Sequence, residues 1–239
     1  MPIVLLTRSE DENEIEAVKL LKSGFDIVSM PLLSYKDLDF EIEENVSHAI
    51  VTSKHAARLI ADKVASKLEC WVVGSESAKI LSSNPKIEVT GVAKNVKELL
   101  GVISMIPENE ASDFFKNSTY YSSDVITWQL PAFINRQIIY NVSYLDLVSE
   151  HHLKSIKKSE IKYILVYSKN CAINLMSLIK RHALLPYLEK AYVVAISSDV
   201  AQLCNLFSMK LAAANPSFEN ILELLIENEQ REKTINSSK

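Results

Sequence analysis

Serine and lysine side chains stand where predicted strands give way to predicted helices, and this placement suits the binding of anions. The candidate ligand-binding residues at these junctions are Ser53, Lys54, Ser75, Ser123, Ser168, Lys169 and Ser198. A helix start offers unpaired backbone N–H groups and the positive end of the helix dipole, which contributes about 0.3–1 kcal/mol to anion binding when exposed. The alternative for each serine taken singly is an N-cap, which stabilises its own helix by about 1 kcal/mol and needs no ligand.

Arg8 ends the first predicted strand and is one of only five arginines in the chain. A guanidinium can bind a carboxylate through two parallel hydrogen bonds, so Arg8 is a further candidate for anion binding. The alternative is a surface charge that pairs with Glu10 or Glu12 on the following helix.

The residue content excludes several other kinds of site. The three cysteines, Cys70, Cys171 and Cys204, are widely spaced in apolar segments, which predicts reduced, packed thiols rather than disulfides. The five histidines show no metal-ligand spacing, and no glycine-rich nucleotide motif occurs among only four glycines. We therefore expect neither a metal site nor a nucleotide site.

Composition and charge indicate an ordinary globular chain. With 239 residues, of which 48% are apolar and 23% charged, the chain can bury one or two cores. The net charge of −4 gives no general attraction to nucleic acid. The apolar runs are strand-sized, and the start MPIVLLTRSEDE turns acidic after one strand, so we expect no membrane span, no secretory signal and a cytoplasmic location.

An internal duplication is the most informative feature of the sequence. Three pairs of segments match in the same order, each an apolar run followed by a helical pattern: 48–60 with 162–176, 70–81 with 193–204, and 92–103 with 213–225. The first pair aligns Ser53 with Ser168, and the second aligns Ser75 with Ser198. The carboxyl ends of parallel strands meet at one edge of a sheet, so the duplication places the candidate ligand-binding residues on that edge in both copies.

Short β-branched runs alternate with helix-period segments in each copy, which predicts two small doubly wound α/β domains with parallel sheets. The first helix shows a capping box formed by Ser9 and Glu12. Its predicted inner face consists of Ile15, Val18, Leu20 and Leu21. The stretches 107–118 and 149–160 look loop-rich, and two half-chains in simple succession are the default organisation.

Six short segments follow one another along the chain: TR at 7–8, SxxAA at 53–57, VGSESA at 73–78, a lone tyrosine at 144, YSKNCA at 167–172 and AISSDVA at 195–201. This ordered set resembles the uroporphyrinogen-III synthase family over residues 3–226. No single one of them is diagnostic, and the order, the length and the duplication carry the resemblance.

The resemblance implies that the chain crosses twice between its domains. Domain one then consists of residues 1–33 and 147–228, domain two of residues 36–144, and residues 229–239 form a frayed polar tail. Two similar doubly wound parallel-sheet domains, joined by a two-stranded crossover, would hold the ligand in a cleft between them.

The resemblance also implies an activity. Members of this family close hydroxymethylbilane, a linear tetrapyrrole with acetate and propionate arms, with inversion of the last ring and loss of water, and they use no cofactor or metal. The expected partners are the small-molecule substrate and, transiently, the upstream deaminase, and the expected state is a monomer. The enzyme must hold one conformation of the substrate, because the same substrate closes without inversion when left alone.

Tyr144 matches the tyrosine that the family places near the crossover, where it serves as the acid that assists departure of hydroxide. A phenol with an ordinary pKa of about 10 stays protonated at neutral pH and can donate to a leaving oxygen. A core position in a strand is the alternative, and Tyr121 and Tyr140 are rival candidates for the acid.

Two departures from the family pattern bear on the ligand contacts. Ser197 stands where the family has glycine and where the first copy has Gly74. The segment 120–131, with Trp128 inside a helix expected to run to about Gln137, lacks the usual turn with glycine and arginine.

Two other functions are compatible with this fold. One is a non-catalytic tetrapyrrole-binding relative with a decayed site, which Ser197 favours and the retained Tyr144 opposes. The other is a two-lobed binding protein for a different carboxylate, which in most settings requires a secretion signal.

Overall fold

A computed structural model describes residues 1–126, 131–132 and 134–237, and the chain divides into two compact units. The first unit comprises Met1–Ser34 with Ser143–Lys239, and the second comprises Tyr35–Val142. Because the first unit is discontinuous in sequence, the default of two half-chains in succession does not hold.

The elements of the described residues are numbered in chain order. The strands are β1 (Ile3–Leu6), β2 (Asp26–Ser29), β3 (Leu33–Asp37), β4 (His48–Val51), β5 (Leu68–Val73), β6 (Ile87–Ala93), β7 (Ser118–Ser123), β8 (Asn135–Tyr144), β9 (Ile161–Val166), β10 (Tyr192–Ala195) and β11 (Lys210–Ala212). The helices are α1 (Glu10–Lys22), α2 (Lys54–Lys63), α3 (Ser75–Ser82), α4 (Val96–Ile103), α5 (Glu108–Lys116), α6 (Glu150–Lys158), α7 (Lys169–Arg181), α8 (Leu185–Leu188), α9 (Ser198–Leu203) and α10 (Phe218–Ser237).

The sheet of the first unit is parallel throughout, with strand order β2-β1-β9-β10-β11. Leu5 of β1 lies opposite Ile164 of β9, which lies opposite Val193 of β10. These three side chains share one core with α7, and the alternate strand residues Val4 and Leu165 face a second core with α1 and α10. Both faces of the sheet are therefore covered, which explains why its strands read as near-continuous apolar runs.

The sheet of the second unit has the strand order β8-β7-β4-β5-β6, with β3 beside β8. The five strands from β8 to β6 are parallel. Ala49 of β4 lies opposite Thr119 of β7 and Cys70 of β5. The alternation of Ala49 and Ile50 between two cores repeats the two-sided burial of the first unit. The predicted class, α/β with doubly wound parallel sheets, is confirmed.

Strands β3 and β8 are the two crossover strands. The backbone N–H of Leu38 donates to the carbonyl of Ile139, and the N–H of Leu145 donates to the carbonyl of Leu32. Since the partners run in opposite order along the two chains, β3 and β8 are antiparallel.

Helix α1 turns a different face inward from the one that its apolar residues predict. Three residues of the predicted inner face are about half exposed, at 54%, 53% and 49%: Ile15, Val18 and Leu21. Glu12 and Glu16 are buried together with Leu20. The Arg8 guanidinium forms ion pairs with both glutamates and compensates for the burial of their charge, so charge pairing outweighs hydrophobic periodicity in this helix. The predicted capping box is also wrong, because the Ser9 hydroxyl donates to the Glu12 carboxylate rather than capping a backbone N–H.

Helices replace both stretches predicted to be loops, and the predicted tail continues a helix. Helix α5 lies within 107–118, and α6 lies within 149–160 and begins where the Ser149 hydroxyl accepts from the N–H of His152 at 3.3 Å. Helix α10 continues to Ser237, so residues 229–237 are not frayed. Glu229 lies 2.5 Å from the Lys162 amine, which fastens this part of α10 to β9.

The helix predicted to run to about Gln137 ends too late, because β8 begins at Asn135. The earlier part of that prediction includes Trp128, which lies outside the described residues.

Candidate functional site

The carboxyl edge of the first unit's sheet brings four of the predicted ligand-binding residues together. Strands β1, β9 and β10 are neighbours, and Arg8, Ser168 with Lys169, and Ser198 follow their respective ends. The junctions therefore lie side by side, as expected for parallel strands.

Ser168 caps α7, since its hydroxyl accepts from the N–H of Cys171 at 3.1 Å. The Lys169 amine lies 3.0 Å from the Asp199 carboxylate, and both side chains are more than half exposed. Ser198 is exposed as the first residue of α9. This edge thus carries a helix start, an exposed hydroxyl and a solvated cation, all of which can meet an anionic group.

Ser197 leaves the second-copy turn intact. Its backbone is extended, with φ of −160°, and its hydroxyl accepts from the N–H of Val200 at 3.4 Å. The matching turn of the first copy uses Gly74 at φ +90°, where a side chain would be strained. The two copies therefore make this turn in different ways, and the serine causes no strain.

Arg8 is held in a compact ionic cluster. Its guanidinium contacts Glu12 and lies 3.2 Å from Glu16, and the three side chains are largely buried, with exposures of 14%, 6% and 6%. It also lies over the ring of Tyr167, at 4.6 Å from the centroid, and the Tyr167 hydroxyl donates to Glu16 at 2.6 Å. Burial, followed by the Glu16 charge, raises the pKa of Tyr167 well above its ordinary value. A substrate carboxylate at Arg8 would have to compete with two carboxylates already in place.

Tyr144 is the last residue of β8, and its ring packs half-buried against the core of the first unit. The side-chain amide of Asn170 donates to its hydroxyl oxygen at 3.2 Å. An amide N–H can only donate, so the phenol oxygen is the acceptor in this bond and the hydroxyl proton points elsewhere. Asn170, the second residue of α7, is a candidate site residue that sequence reasoning missed.

The carboxyl edge of the second unit repeats the arrangement. Strands β7, β4 and β5 are neighbours, and Ser123, Ser53 with Lys54, and Ser75 lie at their ends. Ser75 is exposed as the first residue of α3, and Lys54 is half-buried as the first residue of α2.

Ser53 joins α2 to the crossover strand β8. Its hydroxyl accepts from the N–H of Ala56 at 3.1 Å and lies 2.9 Å from the hydroxyl of Tyr140. The N-cap alternative is thus correct for Ser53 and for Ser168, although a capping hydroxyl keeps its own proton to donate.

Ser123 is committed to the protein itself. Its hydroxyl donates to the carbonyl of Val125 at 2.5 Å, and its own carbonyl accepts from Arg136 at 2.6 Å. The Arg136 side chain also donates to the Ser122 hydroxyl at 2.8 Å. Arg136, which the sequence did not single out, thus brings a guanidinium from β8 to the turn that follows β7.

The two rival tyrosines differ in access. Tyr121 is fully buried, its hydroxyl has no hydrogen-bond partner among the described residues, and burial raises its pKa to about 12. Tyr140 is 4% exposed and shares its hydroxyl with Ser53. Of these three tyrosines, only Tyr144 is half-buried rather than buried.

The described residues contain no group of three or more histidine, cysteine, aspartate or glutamate side chains that could hold a metal ion. Cys70, Cys171 and Cys204 are free and buried, and burial raises the pKa of each, to about 12 for Cys70 and about 11 for Cys204. Within the described part of the chain, no helix is both long enough and apolar enough to span a bilayer.

Comparison with known proteins identifies the family. The model of the family described as uroporphyrinogen-III synthase HemD matches residues 16–223. An uncharacterized protein, RP474, of Rickettsia prowazekii (strain Madrid E) is 31% identical over 95% of this chain and 99% of its own. The fold is similar to that of the uroporphyrinogen-III synthetase of Helicobacter pylori 26695, with TM-score 0.53 and 14% identity over 95% of this chain and 99% of that one. It is also similar to a mutant uroporphyrinogen III synthase of the extremely thermophilic bacterium Thermus thermophilus, with TM-score 0.54 and 12% identity over 98% of this chain and all of that one. The chain therefore belongs to the uroporphyrinogen-III synthase family.

Proposed function

We propose that this protein is a uroporphyrinogen-III synthase, which closes hydroxymethylbilane with inversion of ring D and loss of water. The observation that carries the proposal is the hydrogen bond that the Tyr144 hydroxyl accepts from the Asn170 amide. The membership of the chain in this family gives that phenol its proposed role.

In the proposed reaction Tyr144 is the general acid. Its hydroxyl proton passes to the terminal hydroxyl of the substrate, and the carbon–oxygen bond breaks. Water departs, and the substrate becomes an azafulvene cation that the pyrrole stabilises. Attack by a substituted pyrrole carbon gives a spiro intermediate, and its rearrangement inverts ring D. The last ring closure expels a proton from a pyrrole carbon, which restores the phenol. The Asn170 amide supports the step because a donor to the phenol oxygen stabilises the negative charge that grows there.

The junction residues at the two sheet edges are proposed to bind the acidic arms of the substrate. Ser168, Lys169 and Ser198 serve in the first unit, and Ser53 with Lys54 and Ser75 serve in the second. Their support is the exposure of Ser75 and Ser198 and the helix starts beside them. Arg8 and Ser123 remain in the predicted set, but their contacts with Glu12, Glu16 and Val125 favour a role in shaping the edge.

The test of the activity is the isomer of the product. Protein is mixed with hydroxymethylbilane freshly made by its deaminase, the products are oxidised to porphyrins, and types I and III are separated by chromatography. We expect type III to dominate. Type I alone, formed at the rate of the protein-free control, would contradict the proposal and favour the non-catalytic tetrapyrrole-binding relative.

The test of the acid is Tyr144→Phe, with Tyr187→Phe as the matched control on an exposed surface ring. General acid catalysis typically contributes about 100-fold or more, so we expect kcat of Tyr144→Phe to fall by about that factor with little change in KM. The control should keep the parent rate. Full activity in Tyr144→Phe would remove this residue from the mechanism.

A further inference from the structure

A histidine that no part of the proposed mechanism uses lies at the carboxyl edge of the second unit's sheet. His55 is the second residue of α2, and its Nε2 lies 2.6 Å from Oδ1 of Asp37 on β3. The ring stacks on Tyr35 with centroids 4.2 Å apart and meets the edge of Tyr140 at 4.6 Å. The imidazole is thus fixed by one hydrogen bond and two aromatic rings, and the Tyr140 hydroxyl extends the cluster to Ser53.

The second nitrogen of this ring is accessible. The His55 side chain is 17% exposed. Among the described residues its Nδ1 has no hydrogen-bond partner, and this atom is not buried. The Asp37 carboxylate can only accept, so Nε2 carries the proton of that bond. Nδ1 is therefore an acceptor when the ring is neutral and becomes a donor only when the ring is protonated.

The duplication gives His55 a counterpart in the other copy. Ser53-Lys54-His55 matches Ser168-Lys169-Asn170, so His55 and Asn170 occupy the same position at the start of equivalent helices. Asn170 contacts Tyr144 of β8, and His55 contacts Tyr140 of the same strand.

We propose that His55 binds one carboxylate arm of the substrate through protonated Nδ1, with Asp37 as the positioning residue that holds the ring. This inference rests on the proposed function and extends it, because it assigns a new binding residue and couples substrate binding to proton uptake. A carboxylate offers lone pairs only, so it repels the bare Nδ1 of the neutral ring and attracts the N–H of the charged ring.

The charges around His55 act in both directions. Asp37 favours the charged ring, and the positive end of α2 opposes it. The rings of Tyr35 on β3 and Tyr140 on β8 also pack against His55 but add no formal charge. Lys54 and Arg58 lie one and three residues away on the same helix and oppose a further positive charge. An arriving carboxylate adds a second negative neighbour and shifts the balance toward the imidazolium, which is the physical origin of the proton uptake.

The probe for this test is uroporphyrin III, an unreactive macrocycle with eight carboxylates, and the readout is its binding measured by fluorescence from pH 6 to pH 8. Calorimetry in two buffers of different ionisation enthalpy counts the protons taken up. The wild-type affinity should be lower at pH 8 than at pH 6, with net proton uptake on binding.

Variants of His55 separate charge from shape. His55→Gln should bind the probe about 10-fold or more weakly at pH 6, with no further loss toward pH 8, because a charge-assisted hydrogen bond is lost. His55→Arg keeps a permanent cation and should bind tightly at both pH values. His48→Gln is the matched control, since His48 lies near a carboxylate, Glu69, at the opposite end of β4. It should leave the pH dependence of the wild type unchanged.

Three results would overturn the proposal. The first is that His55→Gln binds the probe as tightly as wild type across the pH range. The second is that His55→Arg does not bind the probe although its thermal unfolding shows that it is folded. The third is that binding releases protons, which would mean that Nδ1 accepts a pyrrole N–H. The binding test needs no turnover. A product of type I only, combined with proton-coupled binding that His55→Gln abolishes, would refute the synthase activity and leave this site standing.

Discussion

Replacement of Arg8 decides between two roles for this side chain. The sequence offers a carboxylate-binding arginine at the end of β1, whereas the structure places its guanidinium between Glu12 and Glu16. In Arg8→Gln the two glutamates keep their burial, at 6% exposure each, and lose their cation. Their contacts predict a loss of stability rather than a loss of substrate affinity.

The magnitude follows from the burial of the cluster. Removing one partner of a buried ion pair costs about 3–5 kcal/mol, and the 14% exposure of Arg8 places the expected loss near the lower end, at about 3 kcal/mol. For a chain of this size a loss of 1 kcal/mol lowers Tm by about 2–4 °C, so a decrease of about 6–12 °C is expected. The triple variant Arg8→Gln, Glu12→Gln, Glu16→Gln should recover part of the loss, since it leaves no buried charge without a partner.

The assay is thermal unfolding at pH 7 together with KM for hydroxymethylbilane, measured below the unfolding range. Arg231→Gln is the matched control, because the ion pair of Arg231 with Glu227 is 3.7 Å long and exposed, and its free energy of unfolding should stay within about 0.5 kcal/mol of the parent. A fully stable Arg8→Gln with KM raised tenfold would refute the reasoning and return Arg8 to the substrate.

Three further predictions concern the junctions and the thiols. Ser168→Ala removes the cap of α7 and should lower the free energy of unfolding by about 1 kcal/mol, measured by denaturant titration, with Ser168→Gly costing a few tenths. Gly74→Ala places a side chain at φ +90° and should lower the free energy of unfolding by about 1–2 kcal/mol, and an unchanged midpoint would contradict the strained turn. Cys70 is buried with its pKa raised to about 12, so it should resist a thiol reagent at pH 8 until the protein unfolds, and rapid labelling of the native state would contradict its packing.

The fold class could be predicted because its signals are local. Each β-branched run, such as Ile161–Val166, is buried on both faces, and this burial leaves its mark in the composition of the strand itself. The N-caps Ser53 and Ser168 are local as well, since each hydroxyl bonds an N–H only three residues away. The ligand-binding roles proposed for the residues at those junctions stay predictions, which a measurement of substrate binding would test.

The contacts that complete the site could not be predicted, because they join residues far apart in sequence. Asn170 reaches Tyr144 across 26 residues, and the ring of His55 meets Tyr140 from β8 and Asp37 from β3. The prediction for the inner face of α1 is wrong for a different reason, because the contact involved is a local one between Arg8 and the glutamates four and eight residues later. Its glutamates are buried by an arginine that precedes the helix, and no periodicity records that pairing.

The strand order shows how the two copies are related. Strands β4 to β8 are consecutive in the chain and form the order β8-β7-β4-β5-β6, whereas the other sheet has the order β2-β1-β9-β10-β11. Strands β4, β5, β6, β7 and β8 occupy the same places in their sheet as β9, β10, β11, β1 and β2 do in the other. The chain order of one copy therefore starts at a different strand, so one copy is a circular permutation of the other. Equivalent junctions consequently follow equivalent strands, with Ser53 matching Ser168. Two residues after these serines stand His55 and Asn170. At this position the copies share the local fold and differ in the chemistry of the side chain. Asn170 supplies a neutral amide to a phenol, and His55 supplies a ring whose charge can change.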